Sequence, residues 1–471
     1  MLDSIFREYD IRGKVGSELL VEEAYNLARS IAYFFHEKRG SAVKTVALGM
    51  DGRLHSEAIK NEVVRGLTDS GLNVLFLGIC PSPVLYFALY NLPVDAGLMI
   101  TASHNPKEYN GLKICLGKDS VWGVQVREIR DLYKAGKQLE SSVKGTVSEY
   151  PAINDYITWM GHSFKHLKGM DFKVIVDCGN GAAGAVMPAL IKEMAWPNVQ
   201  LLYPEIDGTY PNHEADPVKE KNMQDVKKIL TETSVELGIG LDGDVDRMVP
   251  MTKSGYLVPG DKLLSVFAQP IVKEHPGAAV VMDIKSSSGL IDLLNRWGAK
   301  PCLSPSGHAI VKDQIRQHNA LLGGELSCHF FFKDRYFGYD DGIYAMLRLF
   351  EILSPGISLD ALLTQFPKKF SSREILISCP DEKKRDVVEN VKQLFAQRTD
   401  VTIITIDGVR ATMDYGWGIL RASNTTPMLS LRFESDTEQG LQQVKLDFFK
   451  ALEHAIDPVT LREHIGIEGI A

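Results

Sequence analysis

No two of the six cysteines (Cys80, Cys115, Cys178, Cys302, Cys328, Cys379) form a C-x-x-C pair. Scattered singly, they give neither a disulfide framework nor a zinc ribbon, and they read as reduced thiols of a cytoplasmic protein. Long hydrophobic runs are missing too. No stretch reaches the ~18 apolar residues that a membrane span needs, so no membrane partner is expected. Basic charge is not in excess: Lys and Arg number 52 against 60 Asp and Glu, a net charge of −8. That argues against nucleic acid or an anionic bilayer, each of which selects a basic surface. The opening MLDSIFREYDIRGK is too charged for a signal-peptide core. What is present is an ordinary globular composition, 45% hydrophobic and 24% charged, in 471 residues, enough for three or four domains.

One supersecondary pattern recurs. KTVALGMDGRLHSEAIKNEVVRGLTDSGLNVLFLG reads as strand, loop, amphipathic helix, strand. FKVIVDCGNGAAGAVMPALIKEMAWPNVQLLYP and AAVVMDIKSSSGLIDLLNRWGAKPCLSP repeat the order. Short β-branched strands joined through helices predict mixed sheets covered on both faces. Each unit is followed by an apolar run that stops at a polar loop: AGLMI into TASHNP, LGIGL into DGDVDR, ALLG into GELSCH. Ligands gather at the carboxyl ends of strands in such sheets, so three similar domains would present three loops to one cleft. From about residue 368 the pattern becomes a short-strand meander with flanking helices, a smaller α+β domain. The expected fold is three similar mixed-sheet α/β domains and a smaller α+β C-terminal domain around one active-site cleft, with domains at 1–150, 151–255, 256–367 and 368–471.

The loops carry the chemistry. TASHNP ends a strand on Ser103, with His104, Lys107 and Lys113 nearby; it is either a self-satisfying turn or a serine placed to react. In LDGDVDRM, Asp242, Asp244 and Asp246 can converge on one point, where they repel unless a cation sits among them. Oxygen-only ligands suit a hard ion such as Mg²⁺. An EF-hand fails, since Arg247 stands where the loop needs Gly and Lys253 where it needs Glu. Arg247 adds a donor for a phosphate oxygen. Glu325, Ser327 and His329 alternate and could share a face of an extended segment, matching adjacent sugar hydroxyls. LRASNTTPML offers Arg421, Ser423, Asn424, Thr425 and Thr426 as a phosphate cradle, or an Asx/ST turn needing no ligand. FREYDIRG places Arg7, Tyr9 and Arg12 before any clear element, while Lys285 and His308 stand in loops of the third unit. GNGAAG, Gly179 to Gly184, matches the dinucleotide fingerprint, with Glu205 about twenty residues on. Its place in the repeat favours a structural glycine turn over NAD.

Taken together, FREYDIRG, TASHNP, DGDVDR, GELSCH and RASNTTP resemble the α-D-phosphohexomutase family in its own order, across essentially the whole chain. That resemblance implies an intramolecular phosphotransferase acting on small phosphosugars, interconverting mannose 6-phosphate with mannose 1-phosphate and the corresponding glucose phosphates. It makes Ser103 the phosphoserine and implies Mg²⁺ on Asp242, Asp244 and Asp246 with a Ser103 phosphate oxygen. It places Glu325 and Ser327 on the sugar hydroxyls, and Arg421, Ser423, Asn424 and Thr425 on the unreactive phosphate. Tyr9, Arg12, Lys113, Arg247, Lys285, His308 and His329 would surround the sugar, with Arg12, Lys113, His308 and His329 candidates for moving protons. A hexose 1,6-bisphosphate would be the intermediate and activator. The resemblance leaves the oligomeric state open, a monomer included. GELSCH departs from the family's GEMSGH: Cys328 for Gly forbids an easy positive φ and puts the loop's local shape in doubt. Leu326 and His329 favour mannose and glucose phosphates. A phosphoglucosamine mutase is the alternative, then a non-catalytic sugar-phosphate sensor on the same fold.

Overall fold

The structure, a computed structural model, describes residues 1–171, 173–354, 356–423 and 426–467, and four sheets follow one another along them. At the centre of the first lie Thr45–Met50, Asn73–Ile79, Ala96–Ile100 and Tyr109–Leu116. Numbered along the chain, they stand in the order fourth, third, first, second, with the third and second parallel to the first and the fourth antiparallel to the third. The second sheet repeats this order with Val174–Asp177, Val199–Leu202, Leu237–Leu241 and Met248–Thr252. The third sheet repeats it again with Ala279–Asp283, Lys300–Ser304, Leu322–Gly324 and Phe330–Phe332. Strands such as AGLMI, VIVD and LGIGL are buried at every residue, as parallel strands covered by helices on both faces must be.

This topology places the candidate loops. In each of the three sheets the chain passes from third to fourth strand by a hairpin at the carboxyl end of the third. Residues 101–108, 242–247 and 325–329 are those three hairpins. The fourth sheet is antiparallel throughout, and Ser423 and Thr426 stand between its strands Gly416–Ala422 and Met428–Ser435. The repeat is therefore legible as pattern, and its geometric content is three equivalent hairpins.

The first three units share apolar packing: Val84, Phe87, Tyr156, Val176, Leu264 and Tyr344 belong to one continuous buried cluster. The helix Ser82–Asn91 (SPVLYFALYN) has eight of its residues buried, because it is wedged between units and has no solvent face. The fourth sheet has a core of its own, in which Val409, Ala411, Leu420, Leu431 and Phe433 meet Val391, Phe395 and Phe448 from its helices. Period-two alternation turns Trp417, Ile419, Arg410 and Arg432 to the opposite face. There Trp417 and Ile419 touch Ile284 of the third unit. Arg410 donates to the carbonyls of Ile284 at 2.6 Å and Ser286 at 3.0 Å, and Arg432 pairs with Asp261 at 2.9 Å. A small apolar patch and buried polar contacts thus join the fourth unit to the third, where the first three are fused by a core.

Among the described residues no helix is long and apolar enough to cross a membrane. The GNGAAG turn has a packing explanation. A Cβ on Gly184 would lie 1.9 Å from the Pro204 carbonyl, and one on Gly181 would lie 2.9 Å from that of Gly243. Ala182 N–H donates to the same Gly243 carbonyl at 2.9 Å, so the turn braces the aspartate loop.

Candidate active site

Ser103 follows directly from the strand Ala96–Ile100 and sits buried with φ at 52°, a left-handed position for a non-glycine residue. What holds it there is Arg53, from the loop after the first strand. Its guanidinium is buried beside Asp51 at 3.1 Å and donates to the carbonyls of Ser103 (2.8 Å), Asn105 (2.6 Å), Pro106 (2.8 Å) and Tyr109 (3.0 Å). One planar donor fork therefore fixes the whole TASHNP turn. Ser103 Oγ donates to Asp242 Oδ2 at 3.0 Å and lies 3.1 Å from His104 Nδ1. The two loops touch closely: a Cβ on Gly243 would stand 2.4 Å from the Ser103 carbonyl oxygen.

The aspartate loop is a tight turn, closed by Val245 N–H on the Asp242 carbonyl at 3.1 Å with Val245 left-handed at φ 65°. Carboxylate oxygens of Asp242, Asp244 and Asp246, all buried, lie within 4.8 Å of one another. Lys113, from the strand Tyr109–Leu116, reaches Asp244 at 2.6 Å and Asp246 at 2.5 Å. His329 Nε2 meets Asp246 Oδ1 at 3.2 Å and Arg247 stands 3.8 Å from Asp242, while Asp244 Oδ1 is buried without a hydrogen-bond partner. Three converging carboxylates, oxygen donors only, with one buried acceptor left unpaired, fit a hard divalent cation.

The GELSCH segment differs from expectation. Residues 325–329 form a tight turn rather than an extended face: Glu325 N–H donates to the His329 carbonyl at 3.0 Å and Cys328 N–H to the Glu325 carbonyl at 2.9 Å. Cys328 keeps φ at 68° despite its Cβ, which is the conformation that closes the turn. Ser327 and Glu325 still converge, through His329: Ser327 Oγ lies 3.1 Å and Glu325 Oε2 3.0 Å from His329 Nδ1, while His329 Nε2 faces Asp246 at 3.2 Å. Gly307, at φ 136°, lets Tyr9 approach to where a Cβ would be 2.6 Å away, and its N–H donates to Glu325 at 2.6 Å. His308 opens the helix His308–Gln317 and meets the Tyr9 ring edge-on at 5.5 Å.

From the fourth unit, Arg421 is held by Asp407 at 2.9 Å. Ser423 Oγ lies 2.8 Å from Thr426 Oγ1, and Lys384 donates to the Ser423 carbonyl at 2.6 Å. Asn424 and Thr425 lie outside the described residues. Lys285 turns to Glu374 at 3.1 Å, and Arg12 donates to Asn105 Oδ1 at 2.8 Å. Tyr9, Arg12, Ser103, Lys113, Asp246, Arg247, Lys285, His308, Glu325, Ser327, His329, Arg421 and Ser423 all line one cleft of about 220 Å³, with Asp242 and Asp244 buried beneath it. Arg7 stands apart, pairing with Asp381 at 3.4 Å.

Electrostatics sorts the titratable groups. Burial, then Asp246 and Asp244, raise the Asp242 pKa. Against burial, Lys113 and His329 hold Asp246 well below the usual carboxylate range. His329, although buried, is raised to about 9 by Asp246 and Glu325 and so is a cation at neutral pH. Burial and Arg247 depress His104; burial and Lys312 depress His308, so both are neutral. One cleft therefore holds neutral imidazoles beside a charged one, together with arginine and lysine cations. That combination can accept a proton, donate one and steady an anion.

Sequence reasoning missed Arg53, Asp340, Glu374 and Asp407. His104 was noted only as basic surroundings. Arg53 carried a faint signal as a charged residue directly after a buried strand, in MDGR; for the others the signal is distance in three dimensions only.

The comparisons with known proteins agree along the chain. Family models described as phosphoglucomutase/phosphomannomutase domains I, II and III match residues 3–140, 154–255 and 259–370, and the C-terminal domain model matches 374–451. A phosphomannomutase/phosphoglucomutase of Pseudomonas aeruginosa is 40% identical over 455 residues, covering 96% of each chain. One from Pseudomonas syringae pv. tomato is 39% identical over 457 residues, 96% of this chain and 95% of that one. Among solved structures, a phosphoglucomutase/phosphomannomutase family protein from Burkholderia thailandensis superposes with a TM-score of 0.87 at 33% identity, covering 97% of this chain and 98% of its own. Fold and cleft define a multi-domain α/β phosphotransferase of the mutase class. The chain belongs to the phosphoglucomutase/phosphomannomutase family, the α-D-phosphohexomutases.

Proposed function

We propose that this enzyme interconverts mannose 6-phosphate with mannose 1-phosphate, and glucose 6-phosphate with glucose 1-phosphate, through a phosphoserine at Ser103 and a hexose 1,6-bisphosphate. The observation that carries the reading is the meeting of three hairpin turns with Arg421, Ser423 and Thr426 of the fourth unit in one cleft, with Ser103 Oγ 3.0 Å from Asp242. Phosphorylated Ser103 gives its phosphoryl group to the free hydroxyl of a bound sugar phosphate. The Oγ–P bond breaks as the sugar O–P bond forms, and the hydroxyl proton passes to a neutral base in the cleft, for which His308 has the depressed pKa required. The charged His329 and the Arg12 and Arg247 guanidiniums stabilise negative charge on the transferring group. Lys113 stays an ammonium, clamped by Asp244 and Asp246. Asp242, Asp244 and Asp246 would hold Mg²⁺ with an oxygen on Ser103, supplying further charge neutralisation at the phosphoryl group.

Glu325 and Ser327 take adjacent sugar hydroxyls, with Tyr9 and Lys285 beside the ring. Arg421 and Ser423, with Asn424 and Thr425, take the phosphate that is not reacting. The bisphosphate then turns over in the cleft and returns its other phosphate to Ser103. Relatives of the same identity range are named phosphomannomutase/phosphoglucomutase, which favours the mannose and glucose reading over an amino sugar. We place the enzyme in the cytoplasm, in keeping with its free thiols. Turnover of mannose 1-phosphate, glucose 1-phosphate and glucosamine 1-phosphate, with and without chelator, tests the proposal. The expected order puts the first two ahead, with activity lost to chelator and restored by Mg²⁺. Preference for the amino sugar would overturn the specificity, and indifference to chelator would overturn the aspartate role.

A further inference from the structure

Behind the cleft, at the seam between the first and third units, lies a second cavity of about 130 Å³ that shares no lining residue with the first. Its lining carries Lys118, Lys312, Arg316 and Lys333 against Asp119 and Asp313. Arg316 pairs with both carboxylates, and Gln317 also donates to Asp313 at 2.6 Å. Lys118 and Lys333 have no carboxylate partner among the described residues: Lys118 lies 4.7 Å over the Tyr90 ring, and Lys333 makes a 3.5 Å contact to Asn319. Trp122 also lines the cavity. The cavity is thus rich in donors and poor in acceptors, in a chain whose net charge is −8. The rings of Tyr90 and Phe337, 4.7 Å apart, form an apolar wall beside them. Such a lining suits a charged oxyanion with a short carbon portion, and the volume suits a phosphate group better than a whole sugar bisphosphate.

The back cavity also touches the cleft's own wall. Lys312 Nζ donates to Asp340 Oδ1 at 3.0 Å, and Asp340 Oδ2 faces His308 Nδ1 at 3.4 Å. Lys312 sits one turn along the helix that His308 begins. We propose that this cavity is a second anion site, which takes a small phosphate-bearing metabolite between the first and third units. Its occupancy reaches the cleft through Lys312 and Asp340. An anion on Lys312 competes with Asp340 for the ammonium, and the freed carboxylate changes what His308 faces. Donors from two units closing on one anion also hold those units together.

The test uses inorganic phosphate titrated calorimetrically into the full-length protein with its cleft filled by glucose 1,6-bisphosphate. The expected result is one remaining saturable phosphate site, weakened about 10-fold or more by Lys118→Ala with Lys333→Ala, as two charge-assisted contacts are lost. Neither lysine lies in the cleft, so turnover without phosphate should match the wild type in that variant. In the wild type, phosphate should alter kcat at saturating substrate, an effect absent from the double variant. No phosphate binding with the cleft filled, or binding indifferent to the two lysines, would overturn the site. A purely competitive pattern with kcat constant would overturn the coupling. Failure of the bisphosphate itself to bind would count against the cleft reading alone, because the lysine comparison can be run without it.

Discussion

Gly243 sits where the serine loop and the aspartate loop touch, and Gly243→Ala tests whether that contact sets the chemistry. Its φ is not in the left-handed region, so alanine meets no conformational bar there. The obstacle is purely steric: the new methyl would lie 2.4 Å from the Ser103 carbonyl oxygen and 3.3 Å from its carbon, with Tyr210 Oη at 3.4 Å. A normal contact needs about 1 Å more, and the obstructing atom is backbone that Arg53 holds from the other side. Overpacking of this kind costs about 1–3 kcal/mol, a shift of a few degrees in Tm. Its effect on rate should be larger in proportion. A displacement of about 1 Å between Ser103 and Asp242 is worth roughly 10²-fold in kcat. A coupled mutase assay gives kcat and KM, and circular dichroism gives Tm. The expected outcome is a kcat lowered about 100-fold with a folded protein and a modest change in KM. Wild-type kcat in Gly243→Ala would refute the argument that loop contact positions the serine.

Arg53→Lys keeps the charge but cannot serve four carbonyls from a planar fork, so kcat should fall about 10- to 100-fold, and full activity would deny Arg53 its positioning role. Cys328→Gly should change stability by less than about 1 kcal/mol, whereas Cys328→Val should cost about 2 kcal/mol or more, since a branched side chain tolerates positive φ worst; equal urea midpoints for the two would contradict the strain at this turn. Asp341 accepts from Tyr156 at 2.9 Å and Tyr336 at 2.8 Å between the second and third units, and burial pushes its pKa up to about 6. A carboxyl raised on folding loses stability as pH rises from its unfolded value near 4 through 6, here by up to ~3 kcal/mol. Asp341→Asn should therefore gain Tm relative to the wild type between pH 4.5 and 7.5, and parallel profiles would refute the shift.

Period and turn chemistry carried the architecture into the sequence. LGIGL running into DGDVDR announced a buried strand delivering carboxylates, and the structure supplies the reason that this recurs: each such loop is the same hairpin of a repeated sheet. The glycines of GNGAAG were legible as packing, and Gly243 and Pro204 now show against what. GELSCH reads as extended because alternation of polar letters is also what a tight turn produces when one residue goes left-handed; the residue is Cys328, where the family's Gly was the hint and the cysteine takes the same positive φ. Arg53, Asp340 and Asp407 were illegible for another reason. Each acts through a partner beyond the reach of a local motif: Arg53 on Ser103, Asp340 on His308, Asp407 on Arg421. No local pattern encodes a contact that only the folding of each unit creates.

The covalent state of Ser103 during turnover tests the central claim most directly. Protein incubated with glucose 1,6-bisphosphate and Mg²⁺, then quenched and read by intact mass and peptide mapping, should carry a single phosphoryl group on the peptide containing Ser103. Addition of unphosphorylated-at-one-end sugar should discharge it, and Ser103→Ala should show neither the group nor turnover. Sustained interconversion of the sugar phosphates with Ser103 never modified would contradict the account.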